Sequence, residues 1–351
     1  MSDIFSHQTE IEHLLDNASP QLIYPRPAFL NFLSDAVDGE LRAIYHYENG
    51  CLVGFLPFFR WEKDEGVVIN SLPWFGSHGG CYVHNTVNPH AVRRSLLHQL
   101  NIMLREEKNL ITATLSLSPF EQKYQVLYKE ELQPDFVENR LGQIVLLPDV
   151  QSISQEDISK TLMERMEQKA RNSLRKGLRQ NFTYSIDSSE SAWNFLYEVH
   201  CQNMQAIGGT PKTKKHLMAL RKHLSDSSRI FIAQLEGDNV AAMLCLYHKP
   251  CIEYFLPAIV HAYRPLQPLS FLIHTAMVNA CEQNYQNWNF GGTWHSQRSL
   301  YHFKRGWGAE DSSYSYLIIR GCNFTKHIQE ISKKFPFYYI YPFSENTTGY
   351  E

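Results

Sequence analysis

The sequence has no apolar run long enough to cross a bilayer. Its longest nearly apolar stretch, Cys51 to Phe59, falls far short of the ~20 residues a membrane helix needs. The first twenty residues contain no basic start followed by an apolar stretch, so no secretory leader is expected. Cysteine is sparse and unpatterned: there are 7, an odd number, with no C-x-x-C pair. That disfavours a disulfide framework or a zinc ribbon and suits a reducing cytoplasm. Neither sign of charge is in excess, with 33 basic against 36 acidic residues and a net charge of −3. A chain coated by nucleic acid is thereby disfavoured, although a local basic patch is allowed. The motifs H-E-x-x-H, G-x-S-x-G and G-x-x-x-x-G-K-[ST] are all missing. None of the 16 histidines has partners at metal-ligand spacing, so no metal is expected. Gly306-Trp307-Gly308 lacks the strand–helix surroundings of a dinucleotide fingerprint.

What is present is apolar and aromatic. Hydrophobic residues make up 43% and aromatics 13%, too many for a disordered chain. At ~150 residues per domain, 351 residues imply roughly two domains, each able to bury a core without disulfides.

An order of elements occurs twice. Residues 41–47 and 51–61 read as strands around the turn Glu48-Asn49-Gly50, whose Asn-Gly supplies the positive φ of a tight hairpin. An extended segment, 67–83, ends in the cluster Gly76-Ser77-His78-Gly79-Gly80, a weak phosphate-binding signal. A helix follows with Val92, Leu96, Leu100 and Met103 on one face, then a half-buried strand at 111–118. In the second half, strands at 229–235 and 240–248 around the turn Glu236-Gly237-Asp238-Asn239, and a third at 251–259, precede a helix whose Leu269, Leu272, Ile273, Ala276 and Ala280 share a face. That helix leads into a strand at 287–290. The hairpin turns lie about 188 residues apart and the strands after the helices about 176. The shared order suggests duplication of one α/β unit.

Between the halves lie a strand at 143–150, a polar stretch, and a helix expected over 161–180. Leu162, Met166, Ala170, Leu174 and Leu178 form its apolar stripe. Arg171, Arg175 and Arg179 recur every four residues on another face, with Lys169 and Lys176 beside them. Like charges at this spacing repel and disfavour the helix unless an anion or acidic surface neutralises them. Two readings stand: a solvated basic face, or a site for phosphates or carboxylates.

Several of these segments resemble a known family. ARNSLRKGLRQNFTYSI (170–186) is similar to the "R-N-x-R-K-x-x-x-x-G-V" element of Fem-type (FemAB-like) aminoacyltransferases, members of the GNAT-like acyl-CoA N-acyltransferase superfamily. FGGT (290–293) with SLYHFKRGWGAE (299–310) resembles the "FGG…FK…G" element of the same family. LRAIYHYENGCLVGFLPFFR (41–60) and SLPWFGSHGG (71–80) resemble its first-domain strands. The resemblance covers about residues 25–320. It implies an α/β (α+β) fold of two tandem GNAT-like domains, each a mixed twisted sheet flanked by helices. The expected boundaries are 1–150, 151–320 with the active-site cleft, and an aromatic-rich tail at 321–351. Two departures stand out. The chain has no long heptad arm, and the loop matching the family's Q/R-x-x-G-x-G/A element is Arg264-Pro265-Leu266-Gln267-Pro268-Leu269. Two prolines there remove backbone donors that would otherwise face a pyrophosphate.

The resemblance implies acyl or aminoacyl transfer from acyl-CoA or aminoacyl-tRNA, acting as co-substrate with no further cofactor, to an amine of a peptidoglycan or surface-polysaccharide precursor. Such a reaction needs positive charge or aimed donors near the developing oxyanion. Lys304, in the pair Phe303-Lys304, matches the family position for which that role is proposed. Its replacement by alanine is expected to remove activity and leave the fold intact. Tyr301, Tyr314 and Tyr316 are candidate proton donors. Arg171, Asn172 and Arg175 are candidates for a diphosphate, since arginine forks match phosphate oxygens. Lys212, Lys214 and Lys215 form a second candidate anion site, and Trp288, Asn289 and Gly291 are expected to face the cleft. Arg264, Gln267 and Ser270 are the donor-binding candidates.

The tail KKFPFYYIYPF (333–343) allows two readings, a strap folded onto the body or a contact with lipid headgroups. Partners in view are a nucleotide- or lipid-linked acceptor and tRNA, and the expected location is the cytoplasm, including the inner face of the membrane. Two rivals remain: a CoA-dependent sugar N-acyltransferase, and a non-catalytic GNAT-fold module that binds RNA or a partner protein.

Overall fold

Both hairpin turns form as the sequence requires. Asn49 and Gly50 have φ of 51° and 78°, and Glu236 and Gly237 have 54° and 93°, the positive pair of a type I′ turn. The computed structural model of the chain describes residues 4–19, 21–74, 76–149, 154–294, 296–324, 327–341 and 343. In chain order the elements are α1 (Gln8–Asp16), α2 (Pro27–Ala36), β1 (Glu40–Glu48), β2 (Cys51–Lys63), β3 (Gly66–Ser71), β4 (Tyr82–Val83), α3 (Pro89–Glu106), β5 (Leu110–Ser116), α4 (Gln125–Leu132) and β6 (Phe136–Leu146). There follow α5 (Gln155–Arg165), α6 (Gln168–Leu178), β7 (Thr183–Asp187), α7 (Glu190–Ala206), α8 (Lys214–Leu224), β8 (Ser228–Leu235), β9 (Asp238–His248) and β10 (Cys251–Ile259). The last are α9 (Pro268–Glu282), β11 (Asn287–Thr293), α10 (Arg298–Gly306), β12 (Glu310–Arg320) and α11 (Ile328–Ser332).

The chain divides into two units, Met1–Arg140 with Ser313–Gly349, and Leu141–Ser312. These bounds differ from 150 and 320 because the divisions fall inside β6 and β12. In the first unit β5 pairs antiparallel with β12 (Tyr316↔Ser116 to Arg320↔Thr112). In the second, β11 pairs antiparallel with β6 (Asn287↔Leu146 to Thr293↔Leu141). Each unit thus takes its closing strand from the other half of the sequence, which no periodicity shows. The duplication is otherwise plain: β3 pairs parallel with β5, and β10 parallel with β11.

In the first unit the strands run β1-β2-β3-β5-β12, with β4 beside β2. Helix α3 starts at Pro89, with the Asn88 side chain accepting from the N–H groups of His90 and Ala91, a cap that fixes the helix start. Its Val92, Leu96 and Leu100 are buried against Leu56, Phe58 and Leu115, each contributing on the order of 1.5–3 kcal/mol. The glycine cluster does not offer free donors. Gly76 N–H donates to Tyr339 Oη, Ser77 N–H to Trp74 O, Gly79 N–H to Ser116 O and Gly80 N–H to Ser71 Oγ. The phosphate reading of that loop is therefore set aside.

The tail folds onto the same unit. Phe335 and Tyr338 each pack 5.2 Å from Trp61, and Tyr341 stacks on Phe136 at 4.4 Å. Asn70 and Thr114 clamp the Tyr339 backbone. Every described aromatic of 333–343 is buried or half-buried, so the lipid-contact reading of this stretch is corrected: its rings serve the unit's core. Among the described residues, no helix is long and apolar enough to cross a membrane.

In the second unit the order is β6-β11-β10-β9-β8-β7. Leu272, Ile273, Ala276, Met277 and Ala280 of α9 are fully buried beside Met243, Ile252 and Trp288. The helix expected over 161–180 is two helices. Met166 and Glu167 are extended (ψ 149° and 155°). Met166 is buried in the core, and the Glu167 N–H donates to Gly306 O at 2.9 Å. Burial of Met166 together with that bond outweighs helix continuity. Leu162 and Leu174 are buried as expected, while Leu178 is 45% exposed.

Candidate active site

The site begins where two parallel strands part. β10 and β11 pair through Cys251↔Asn287, Ile252↔Trp288 and Glu253↔Asn289, and no further. β10 stays paired with β9 as far as Ile259. From Tyr254 onward its β11-facing edge has no strand partner among the described residues, and at Ile259 the backbone N–H and C=O are taken up by the Asn203 side chain at 2.9 and 2.8 Å. The β9 register shifts between Tyr254 and Leu256, a bulge that re-aims the strand at this point.

A buried polar network fixes the parting. Asn289 Nδ2 donates to Glu253 Oε2 at 2.9 Å, and Gly291 N–H donates to Asn289 Oδ1 at 2.9 Å. Gly291 has φ +72° with open space around it, so the backbone angle alone demands glycine. Lys304, on α10 and 4% exposed, donates to Gly291 O at 3.2 Å, Gly292 O at 2.5 Å and Thr293 Oγ1 at 2.9 Å. Thr293 Oγ1 donates in turn to Gln143 Oε1 at 3.1 Å, and Gln143 Nε2 donates to the Tyr301 carbonyl at 3.2 Å. Lys304 thus clasps the irregular end of β11. Phe303, 36% exposed, meets Phe290 and Trp307 edge-on. Tyr301 donates from its hydroxyl to Asp311 and accepts from Arg305. Trp288 is a fully buried core residue. Tyr314 and Tyr316 lie instead in the first unit's aromatic core, 1% exposed each, and are removed from the list of proton donors.

The basic helix α6 presents two flanks. On one, Lys169, Asn172, Ser173 and Lys176 line a groove of about 580 Å³ together with Gln267 and the first residues of α6. On the other, Arg171 and Arg175 line an adjoining groove of about 410 Å³ that shares Gln168 with the first. Asn172 therefore joins Gln267, one of the residues expected to bind the donor, and lies away from the groove of Arg171 and Arg175. Gln267 stands in the left-handed region (φ 65°) immediately before α9. Ser270 Oγ donates to Gln267 Oε1 at 3.1 Å, and Gln267 Nε2 to Arg264 O at 3.3 Å. Arg264 is half-buried, and its Nε has no hydrogen-bond partner among the described residues.

Gly177 permits this approach. A Cβ there would lie 2.8 Å from Gln267 O, a backbone atom that cannot swing away. Gly177→Ala is expected to displace the loop and cost about 1–3 kcal/mol. A thermal melt unchanged from the wild type would refute that.

Lys212 sits apart from Lys214 and Lys215, which are exposed on α8. Its N–H donates to His200 Nε2 at 3.0 Å, and its ammonium lies 5.7 Å from the Phe255 ring on β10. Burial, then the Lys212 charge, pushes His200 down to about 4. Glu253, Gln143 and Thr293 are not found by motif. Glu253 alone carries a trace, as the single acid within the apolar strand CIEYFLPAI. Among the described residues, no cluster of three His, Cys, Asp or Glu side chains could hold a metal.

Residues 164–305 match the acetyltransferase (GNAT) domain family. Comparison with curated proteins gives no significant match. Among solved structures, the chain is similar to FemX, with 13% identity, 90% of this chain and 96% of that chain covered, and a TM-score of 0.68. It is similar to L-PGS from Bacillus licheniformis, with 14% identity, 92% and 94% coverage, and a TM-score of 0.54. A tandem GNAT protein from the clavulanic acid biosynthesis pathway is also similar, with 11% identity, 90% and 95% coverage, and a TM-score of 0.51. At these identities the likeness is one of fold. Residues 164–305 thus match the acetyltransferase (GNAT) domain family, and the chain has the fold of tandem GNAT-like proteins.

Proposed function

We propose that the second unit transfers an acyl or aminoacyl group from an activated donor, a CoA thioester or an aminoacyl-tRNA, to the amine of a cell-envelope precursor. The observation that carries this reading is that the pairing of β10 with β11 ends at Glu253, so that among the described residues the β10 edge from Tyr254 has no strand partner, in the same unit as the polar groove at Gln267. The donor's carbonyl lies along that edge, where backbone N–H groups can meet the developing oxyanion. Its phosphates rest in the groove of Lys169, Asn172, Ser173, Lys176 and Gln267. Side chains of α6 take over the role of the amides lost at Pro265 and Pro268.

The amine nitrogen attacks the carbonyl carbon and forms the C–N bond, and the C–S or C–O bond of the donor then breaks. The nitrogen's proton passes to Glu253, the leaving thiolate or alkoxide is protonated from water, and the hydroxide so formed takes up the proton held by Glu253. Lys304, with its donors committed to β11, is a positioning residue that holds Gly291 and Gly292. The resemblance to Fem-type aminoacyltransferases and the likeness to FemX support aminoacyl transfer, while the match to the acetyltransferase domain family supports a CoA donor.

The test is transfer of radiolabel from acetyl-CoA or from charged tRNA to a panel of nucleotide-linked amino sugars and peptides. One donor is expected to give an amide product. Lys169→Gln with Lys176→Gln should raise that donor's KM about tenfold or more, the loss of two charge-assisted contacts, with kcat little changed. Binding without product for either donor would overturn the enzymatic reading in favour of a binding module.

A further inference from the structure

Strand β7 ends the sheet of the second unit with one side open. It pairs antiparallel with β8 from Thr183↔Gln234 to Asp187↔Ile230, and among the described residues no strand lies on its other side. An open strand edge carries a row of backbone donors and acceptors ready for another strand. In the first unit the edge strand β1 is guarded against this. Glu40, Arg42 and Glu48 stand along it, and the Tyr47 hydroxyl at its end donates to Glu10 of α1. β7 has no such guard. Its sequence is Thr-Tyr-Ser-Ile-Asp, without proline or lysine, and its register against β8 has no shift. Threonine, tyrosine and isoleucine all favour strands.

The side chains of β7 are exposed where those of its neighbour are buried. Tyr184 and Ile186 pair across the ladder with Ala233 and Phe231, so they share a face with them. Ala233 and Phe231 are fully buried, whereas Tyr184 is 49% and Ile186 44% exposed. The helices that cover β8 on this face stop short of β7, where the Tyr184 ring lies 6.3 Å from Phe271 of α9.

The two ends of the strand carry opposite charge. Arg179 is exposed just before it. Asp187 closes it and Glu190 follows, 74% exposed and 3.5 Å from Arg221. Such an edge complements itself when two copies run antiparallel about a two-fold axis at Ser185. Tyr184 then faces the partner's Ile186, an aromatic–β-branched pair, and this happens twice on the exposed face. The basic entry of each strand meets the acidic exit of the other. A parallel pairing would bring like charges together.

We propose that β7 is the contact surface for a second copy of this chain, which pairs with it antiparallel and continues the sheet. The contact is isologous and closes on itself, so assembly stops at two copies. Neither statement depends on acyl transfer. Five residue pairs are fewer than a standard interface holds, so a reversible dimer with a Kd on the order of 10 µM is expected.

The test is sedimentation of the full chain from about 1 to about 300 µM, which brackets that Kd. Monomer is expected at the low end, dimer at the high end, and nothing larger. Ile186→Lys puts a lysine on the open edge, a device by which natural edges avoid pairing, and should weaken the dimer about tenfold or more with the thermal melt little changed. Arg179→Glu should weaken it about threefold or more, the loss of exposed charge pairs. Arg179→Glu combined with Glu190→Arg should restore it, because the exchanged signs are again complementary. Ser185→Cys decides the register even if Ile186→Lys fails to fold. Across the axis its two Cα atoms would lie about 4.5–5.5 Å apart, within disulfide reach. Mild oxidation with diamide should therefore link this variant well beyond the wild type, whose exposed Cys51 and Cys322 set the background.

A wild type that stays monomeric at the highest concentration overturns the proposal. So does a dimer that Ile186→Lys leaves intact, or an oligomer that keeps growing past two copies. A dimer indifferent to Arg179→Glu, or a Ser185→Cys variant linked no more than the wild type, overturns the antiparallel pairing and the proposal with it.

Discussion

Lys304→Met is expected to lower the stability of the second unit by about 2–4 kcal/mol and to abolish acyl transfer. Methionine keeps the volume but brings no donor. Gly291 O, Gly292 O and Thr293 Oγ1 would then face a buried thioether, and an unsatisfied buried polar group costs about 1–3 kcal/mol. Removing the buried ammonium recovers part of its desolvation, which keeps the net loss below the sum. Without the clasp, the end of β11 relaxes and the point where it parts from β10 loses its shape. The exposed neighbour Arg305 is the control. Its 3.8 Å contact with Glu167 joins two half-exposed side chains, so Arg305→Met should change stability by less than about 1 kcal/mol. Urea unfolding of both variants decides the matter. A Lys304→Met protein as stable as the wild type would mean that the clasp carries no load. The expectation from sequence, that the Lys304→Ala fold stays intact, is thereby replaced.

Acid should destabilise the protein well before its carboxylates titrate. His78, His200 and His274 are each pushed from 6.5 down to about 4, first by burial. All three are at most 6% exposed. The unfolded chain binds these protons near pH 6.5 and the folded chain resists them until about pH 4. Their contribution is therefore complete above pH 6.5, is lost as pH falls, and is gone below about pH 4. At 1.36 kcal/mol per unit, each histidine accounts for about 3 kcal/mol at most. His200 has a specific reason to resist: Nε2 accepts the Lys212 N–H, and protonation would turn that acceptor into a second donor beside a lysine. The urea midpoint is expected to fall steeply between pH 6.5 and 4.5. The His274→Gln protein should show a shallower fall. A midpoint flat over that range would show that these rings are not held neutral.

Much of the local structure was legible in the chain. Asn49-Gly50 and Glu236-Gly237 announced hairpins because only residues tolerant of positive φ make that turn cheaply. The apolar spacing of α3 and α9 reported which face is buried, since 3.6-residue periodicity is a local property. Among the site candidates, Lys304 and Gly291 were singled out by their resemblance to a family element, and they do meet in space. The single helix expected over 161–180 failed because periodicity says nothing about a backbone carbonyl supplied from Gly306.

By itself, the sequence determined a duplicated α/β unit, a basic segment at 169–179, and an aromatic tail too apolar to stay in water. Tertiary structure alone decided that β6 and β12 close each other's sheets, that Lys304 spends its donors on β11, and that Glu253 is buried where two strands separate. It also decided that α6 divides its charges between two grooves. The reason is physical. Period and propensity are set by neighbours within a few residues, whereas strand exchange, burial of a charge and the partners of an ammonium are set by groups tens to hundreds of residues away, brought together only by packing.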